Sequence, residues 1–282
     1  MQLTGPLSPL VRATIKTAHR LSRLRLSSNA LRVGAITLAA LTFVLGVTNA
    51  VLVIAQPPPE ADIGTLSLGK APPTSLTPLF MVEKGPGVQY LRGAIGIVYT
   101  GQEWRLERIN AEGTNLYVSF EKKDLPLRPT ELARSYQEFD PNALNAALPL
   151  REDLYVKLPE NISARTKDLS LQITQGFDIA FEKAKAIEDY LRTHCRYNTN
   201  FVPAPSKWEP NDWFLFESRE GVCGNFASAF VVLARASGLP ARLAAGYFIG
   251  SDAGEQFVYE DQAHGWAEVG FEELGWIVFD PT

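Results

Sequence analysis

Two cysteines, three histidines and two methionines are all that 282 residues hold of the side chains that most often bind metals or cycle redox state. Two cysteines cannot make a disulfide framework, and so few histidines leave no Cys/His cluster at metal-ligand spacing. Zinc is not expected, and neither is a cofactor. Basic charge is scarce as well. Lys and Arg number 27 against 31 Asp and Glu, a formal net charge of -4. Six of the basic residues lie in residues 1–32, which hold no acidic one, so the rest carries 21 against 31, a net of -10. No nucleic-acid footprint is visible in that balance. Apolar residues are not lacking: at 46% they suffice for one large or two modest domains.

The longest uncharged run is 33–55, VGAITLAALTFVLGVTNAVLVIA, whose 23 residues at about 1.5 Å each cross a ~30 Å hydrocarbon core. Arg12, Lys16, Arg20, Arg23, Arg25 and Arg32 precede it, and Gln56-Pro57-Pro58-Pro59-Glu60 follows. The run therefore predicts a single transmembrane helix with a basic cytoplasmic arm at 1–32 and residues 60–282 outside. A cleavable signal peptide is the alternative, although its apolar stretch is typically about 7–15 residues.

Residues 56–86, with Pro57-Pro58-Pro59 and Ala71-Pro72-Pro73, read as an extended spacer that carries no chemistry. Residues 87–160 read as a β-rich region, from runs such as Ile95-Gly96-Ile97-Val98-Tyr99 and Leu116-Tyr117-Val118-Ser119-Phe120. Over 124–165 the pattern is Pro-rich and weakly periodic, with one short strand at Leu154-Tyr155-Val156. Ile179, Ala180, Phe181, Ala184, Ile187, Tyr190 and Leu191 recur at helical spacing, which predicts an amphipathic helix over 178–194 that packs the core and holds no catalytic residue. A second helix is expected from Cys223 to Ser237, ended by Gly238-Leu239-Pro240, with strands at about 241–249, 257–260, 263–271 and 276–280. Helices followed by antiparallel strands make the fold class α+β, with 161–282 as the functional domain.

Three short segments of that domain carry chemistry: Gly221-Val222-Cys223-Gly224-Asn225-Phe226-Ala227, Ala263-His264-Gly265-Trp266-Ala267-Glu268-Val269, and Phe279-Asp280-Pro281-Thr282. A thiol is a useful nucleophile as thiolate, which calls for a base, a positive field and an acceptor that orients the base. Placed in the first turn of a helix, Cys223 would see unpaired backbone N–H groups, and Gly221 and Gly224 would let a carbonyl approach. Alternation along a strand puts His264, Trp266 and Glu268 on one face. The short turn Glu272–Gly275 sets the strand that ends at Asp280 beside the one that carries His264. Each residue also has a plain reading: Cys223 as a small buried hydrophobe, His264 as a satisfied strand histidine, Asp280 as a turn starter before proline. Trp266 is expected in the core and Glu268 in solvent, neither with a catalytic role. Cys195 is read as structural, and a Cys195–Cys223 disulfide is an open alternative.

The order Cys, His, Asp and the run Phe214-Leu215-Phe216-Glu217-Ser218-Arg219-Glu220-Gly221-Val222-Cys223 resemble the transglutaminase-like superfamily of cysteine enzymes, in its bacterial membrane-anchored branch. The resemblance covers roughly 88–282. It implies a papain-like core in which a helix bearing Cys223 packs on an antiparallel sheet bearing His264 and Asp280. It also implies that these three are nucleophile, base and orienter in acyl transfer on peptide amides, by transamidation or proteolysis. Gly224 stands where many members of that branch carry an acidic residue. Many continue past the Asp-Pro-Thr, so a further segment clamping Asp280 is expected. The implied partner is a protein or peptide, with components of the cell envelope among the candidates. The alternative is a non-catalytic envelope module that binds peptide or wall polymer on the same fold. Oligomeric state is left open.

Overall fold

The computed structural model describes residues 62–87, 89–109 and 131–282. The basic arm, the apolar run 33–55 and the strand expected at 116–120 lie outside the described residues. Among the described residues no helix is long and apolar enough to cross a membrane. The described residues form one compact unit.

Its frame is a sheet of seven strands: β1 (Asp62–Ser67), β3 (Tyr90–Tyr99), β4 (Glu103–Arg108), β5 (Glu131–Ser135), β8 (Ala241–Phe248), β10 (Ala263–Phe271) and β11 (Gly275–Phe279). Its order is β1-β4-β3-β5-β11-β10-β8, and β3 also pairs with β8, so five strands close into a ring. The pairing is antiparallel throughout except between β11 and β5, which run parallel. The wholly antiparallel sheet expected from sequence is corrected by that one pair. Closure brings β8 against β3 so tightly that a Cβ on Gly246 would meet the carbonyl oxygen of Leu91 at 1.9 Å. Only glycine fits there. Because β3, β4 and β5 share a sheet with β8, β10 and β11, the β-rich region and the C-terminal region are built together.

Residues expected as a spacer contribute two strands instead. β1 pairs with β4, and β2 (Pro78–Lys84) pairs with β9 (Gly254–Tyr259). Phe80 and Val82 alternate inward on β2 and are buried with Leu91, Ile249 and Val258. Pro72 and Pro73 lie between the two strands and mask them, and the strands reach their partners across 36 to 181 positions of sequence.

Among the described residues, four α-helices longer than three residues accompany the sheet: α1 (Pro141–Ala146), α2 (Ala164–Thr174), α3 (Ala180–His194) and α4 (Cys223–Ala236). Helices α3 and α4 lie close to their expected limits. Helix α2, for which no helix was expected, escapes the periodicity because its buried stripe is Thr166, Ser170 and Thr174 rather than aliphatic. Ser170 donates its hydroxyl to the carbonyl of Leu233 at 2.6 Å, which removes the cost of burying it. Helix α4 is mostly apolar and buried from Cys223 to Arg235, as a central helix must be. It is enclosed by α2, α3, β8 and β10. Arg235 ends it inside the protein, its guanidinium donating to the carbonyls of Ala241, Lys157 and Ile97 at 2.8 to 2.9 Å.

Candidate active site

Helix α4 begins at Cys223, shortly after a π-helical turn, Trp213–Ser218, whose cap Arg219 takes a left-handed backbone (φ 52°). Two-residue strands β6 (Arg196–Tyr197) and β7 (Glu220–Gly221) pair in parallel and tie the end of α3 to the start of α4. Val222 has no side chain to cap the helix. Asn225 does it from the third position: its Oδ1 accepts the Val222 N–H at 3.0 Å, and its Nδ2 donates to the Leu68 carbonyl at 2.9 Å. A Cβ on Gly221 would lie 2.7 Å from the Asn225 Cβ, so that glycine makes room for the capping amide rather than for a substrate. Asn225→Ala removes both bonds from a buried position and should cost about 1–3 kcal/mol, read as a fall in melting temperature. An unchanged melting temperature would mean that the two bonds add nothing to the folded state.

Cys223, 6% exposed, lies against a cavity of about 210 Å³ that His264 also lines. Its position in the first turn leaves backbone N–H groups without intrahelical partners beside the sulfur. His264 projects from β10, where it is paired with Gly246 of β8. Its Nε2 is 2.7 Å from Oδ2 of Asp280, the residue following β11. Burial alone would lower the imidazole pKa. Hydrogen bonds to Asp280 and Cys223 and the charges of both outweigh it and raise the value to about 10. Burial also opposes ionisation of Asp280, yet its bonds to His264 and Thr282 hold it below the ordinary carboxylate range. With Nε2 turned to Asp280, Nδ1 is the ring nitrogen left for the thiol.

Asp280 is held from several sides. Tyr90 donates its hydroxyl to the same Oδ2 at 3.0 Å, and Oδ1 accepts from the N–H and hydroxyl of Thr282 at 3.1 and 2.5 Å. The Asp280 N–H donates to Oε1 of Glu188 at 3.0 Å, and Arg192 donates to its carbonyl. Among the described residues the clamp on Asp280 is built from α3, β3 and Thr282. Helix α3, expected only to pack the core, supplies Glu188 and Arg192 to it. Glu188 is fully buried and accepts from Tyr136 and Lys185 through Oε2.

The structure brings Cys223, His264 and Asp280 to one place and leaves Cys195 outside it. Both cysteines are free, which corrects the alternative of a disulfide between them. Cys195 caps the end of α3, where burial pushes its thiol up to about 12 against a small opposing effect of Arg219. Among the described residues no group of His, Cys, Asp and Glu is arranged to hold a metal.

Residues 167–281 match the model of the transglutaminase-like superfamily. The chain carries a transglutaminase-like domain. An uncharacterized protein of Bacillus subtilis, YebA, is 43% identical over 139 residues, 46% of this chain and 19% of that protein. A protein-glutamine gamma-glutamyltransferase of Pseudomonas aeruginosa is 43% identical over 74 residues, 25% of this chain and 11% of that protein. The matches therefore span a fifth or less of the length of these relatives. In fold, the periplasmic domain of TgpA from Pseudomonas aeruginosa superposes with a TM-score of 0.54 at 19% identity, covering 77% of this chain and 92% of that one.

The sequence pattern assigns no role to Asn225, Tyr90, Glu188 or Arg192. An asparagine two residues after the cysteine was the available signal for the first. Nothing in the local sequence marks the others, because each acts on a residue at least 88 positions away. Glu268, expected in solvent, is fully buried and accepts from Arg92, Arg242 and Trp266 at 2.5, 2.8 and 3.1 Å. Trp266 is buried as expected.

Proposed function

We propose that this transglutaminase-like domain is a cysteine acyltransferase acting on peptide amides, with Cys223 as nucleophile, His264 as general base and acid, and Asp280 as the orienting carboxylate. The observation that carries the reading is the cavity shared by Cys223 and His264, with the far nitrogen of His264 bonded to Asp280 at 2.7 Å. An imidazole whose pKa lies near 10 keeps its proton at neutral pH, so an imidazolium stands beside the Cys223 sulfur. The sulfur attacks the amide carbonyl, and the oxyanion forms near the first-turn N–H groups of α4. His264 then gives its proton to the leaving nitrogen as the C–N bond breaks, which leaves an acyl-thioester on Cys223. In the second half His264 takes a proton from the incoming nucleophile, whose attack breaks the C–S bond and restores the pair. With an amine as nucleophile the reaction is transamidation; with water it is hydrolysis. The similarity to a protein-glutamine gamma-glutamyltransferase supports an amine acceptor and a glutamine side chain as donor. Likeness to a periplasmic domain, together with the one-sided basic flank of residues 33–55, supports an extracytoplasmic domain anchored by that span.

The test is alkylation with a thiol-reactive probe at pH 7, followed by mass spectrometry of the labelled peptide. Cys223 should carry the adduct, and Cys195→Ser should leave the rate unchanged. Because the thiolate is the nucleophile and a neighbouring imidazolium favours it, His264→Ala should slow labelling about thirtyfold. Incorporation of a fluorescent primary amine into a glutamine-containing protein then reads transamidation directly. Equal labelling of both cysteines, or indifference to His264, would refute the assignment.

A further inference from the structure

The segment between β1 and β2 crosses the cleft from the cysteine side to the histidine side. At one end the Leu68 carbonyl accepts from Asn225 on α4, two residues after Cys223. At the other, the carbonyls of Ser75 and Thr77 accept the N–H groups of Asp261 and Glu260 at 3.0 Å each, in the turn that leads into His264. Between these ties runs Gly69-Lys70-Ala71-Pro72-Pro73-Thr74, whose two prolines fix their own φ angles and stiffen an otherwise irregular stretch. Lys70 to Pro73 line the same cavity as Cys223 and His264.

The chemistry of that lining is one-sided. Leu66, Ala71, Pro72, Pro73, Ala245 and Ala263 are apolar, and no Asp or Glu side chain takes part. Lys70 is the only Lys or Arg in it. Lys70 is exposed, and among the described residues it has no ion-pair partner, so its ammonium stands unopposed at the mouth of an apolar cleft in a chain that is otherwise acidic. A positive charge fixed beside a low-dielectric wall attracts an anion that reaches it and disfavours a cation.

We propose that Lys70, carried on this strap, is a specificity-determining residue that selects acyl donors bearing a carboxylate beside the reacting amide. The proposal rests on Cys223 as the nucleophile of the cleft. It predicts that a peptide with an acidic residue, or a free terminal carboxylate, next to the amide acylates Cys223 faster than its uncharged isostere.

Two alkylating agents of nearly equal size isolate the charge. In both iodoacetate and iodoacetamide the thiolate displaces iodide, forming a C–S bond and breaking a C–I bond, and only the first reagent is an anion. The ratio of their rates at Cys223, iodoacetate over iodoacetamide, cancels any general change in thiol reactivity. Measured on the full chain at low ionic strength, the ratio should fall about 1.4-fold to fivefold in Lys70→Gln, the range expected for a solvent-exposed charge pair, and further in Lys70→Glu. Salt near 1 M, where the Debye length is about 3 Å, should bring the wild-type ratio toward that of Lys70→Gln. A ratio that stays at the wild-type value in Lys70→Glu, while iodoacetamide still labels Cys223, overturns the role of Lys70 and leaves the nucleophile standing. Failure of both reagents to label Cys223 in the wild type overturns the nucleophile, and the proposal with it.

Discussion

Asp280→Ala should lower the turnover rate by about 10⁴ while leaving the fold intact, because losses of that size follow removal of an orienting carboxylate from a catalytic triad. The carboxylate has two effects on His264 at once. Its bond to Nε2 fixes the ring so that Nδ1 meets the thiol, and its charge helps hold the imidazole pKa near 10. Asp280→Asn should lose less, since an amide oxygen can still accept the Nε2 proton and the Tyr90 hydroxyl, although the charge is gone. The pH profile separates the two effects. In the wild type the alkaline limb of activity should lie near pH 10, where His264 loses the proton it must give to the leaving nitrogen. Without the Asp280 charge that limb should move down toward the ordinary histidine value of ~6.5.

The same shifts fix the sign of the pH dependence of stability. A histidine whose folded pKa is raised from 6.5 to about 10 contributes stability that is complete below pH ~6.5 and is lost as pH rises from there to about 10. Asp280, held below its ordinary value, contributes stability that is present above pH ~4 and is lost on acidification. The pair therefore favours the folded state most between roughly pH 4 and 6.5. Asp280→Ala should flatten both flanks in thermal melts taken across pH. A wild-type alkaline limb near pH 7, or a profile that does not move in Asp280→Asn, would show that the carboxylate does not govern the imidazole.

Glu268→Gln should be the most damaging single substitution for stability away from the cleft, at about 3–5 kcal/mol. Glu268 is fully buried on β10, its two oxygens bonded to Arg92 on β3 and Arg242 on β8, while Arg92 reaches Glu131 on β5 at 2.5 Å. The four residues come from four of the five strands that close the ring. Neutralising Glu268 leaves two nearly buried guanidinium groups facing an amide, with only Glu131, itself about one-third exposed, to balance them. Desolvated charges that lose a partner cost far more than an exposed pair gains. A denaturant titration reads the loss directly. A change below about 1 kcal/mol would mean that water reaches the guanidinium groups and that ring closure does not depend on the network.

The two substitutions also divide what local sequence could reveal from what it could not. Helices α3 and α4 and strands β8, β10 and β11 were legible because aliphatic residues recur at the period of the element and Gly238-Leu239-Pro240 punctuates them. The short turn after β10 made β11 its neighbour, so the adjacency of His264 and Asp280 was a local consequence of chain order. The buried face of α2 is hydroxyl-bearing, and β1 and β2 flank a proline pair, so neither presents a pattern that periodicity detects. The roles of Tyr90, Glu188, Arg192 and Glu268 arise from contacts made when distant strands and helices pack, and a charged residue reads the same in sequence whether it ends in solvent or in a buried bond. Sequence by itself determined the element order, the chemistry of the Cys, His and Asp segments and the spacing that brings two of them together. Tertiary structure alone decided which groups hold Asp280 in place, what closes the sheet, and that a stretch read as a spacer forms the wall opposite the thiol, because burial and partner choice are set by packing across the whole chain.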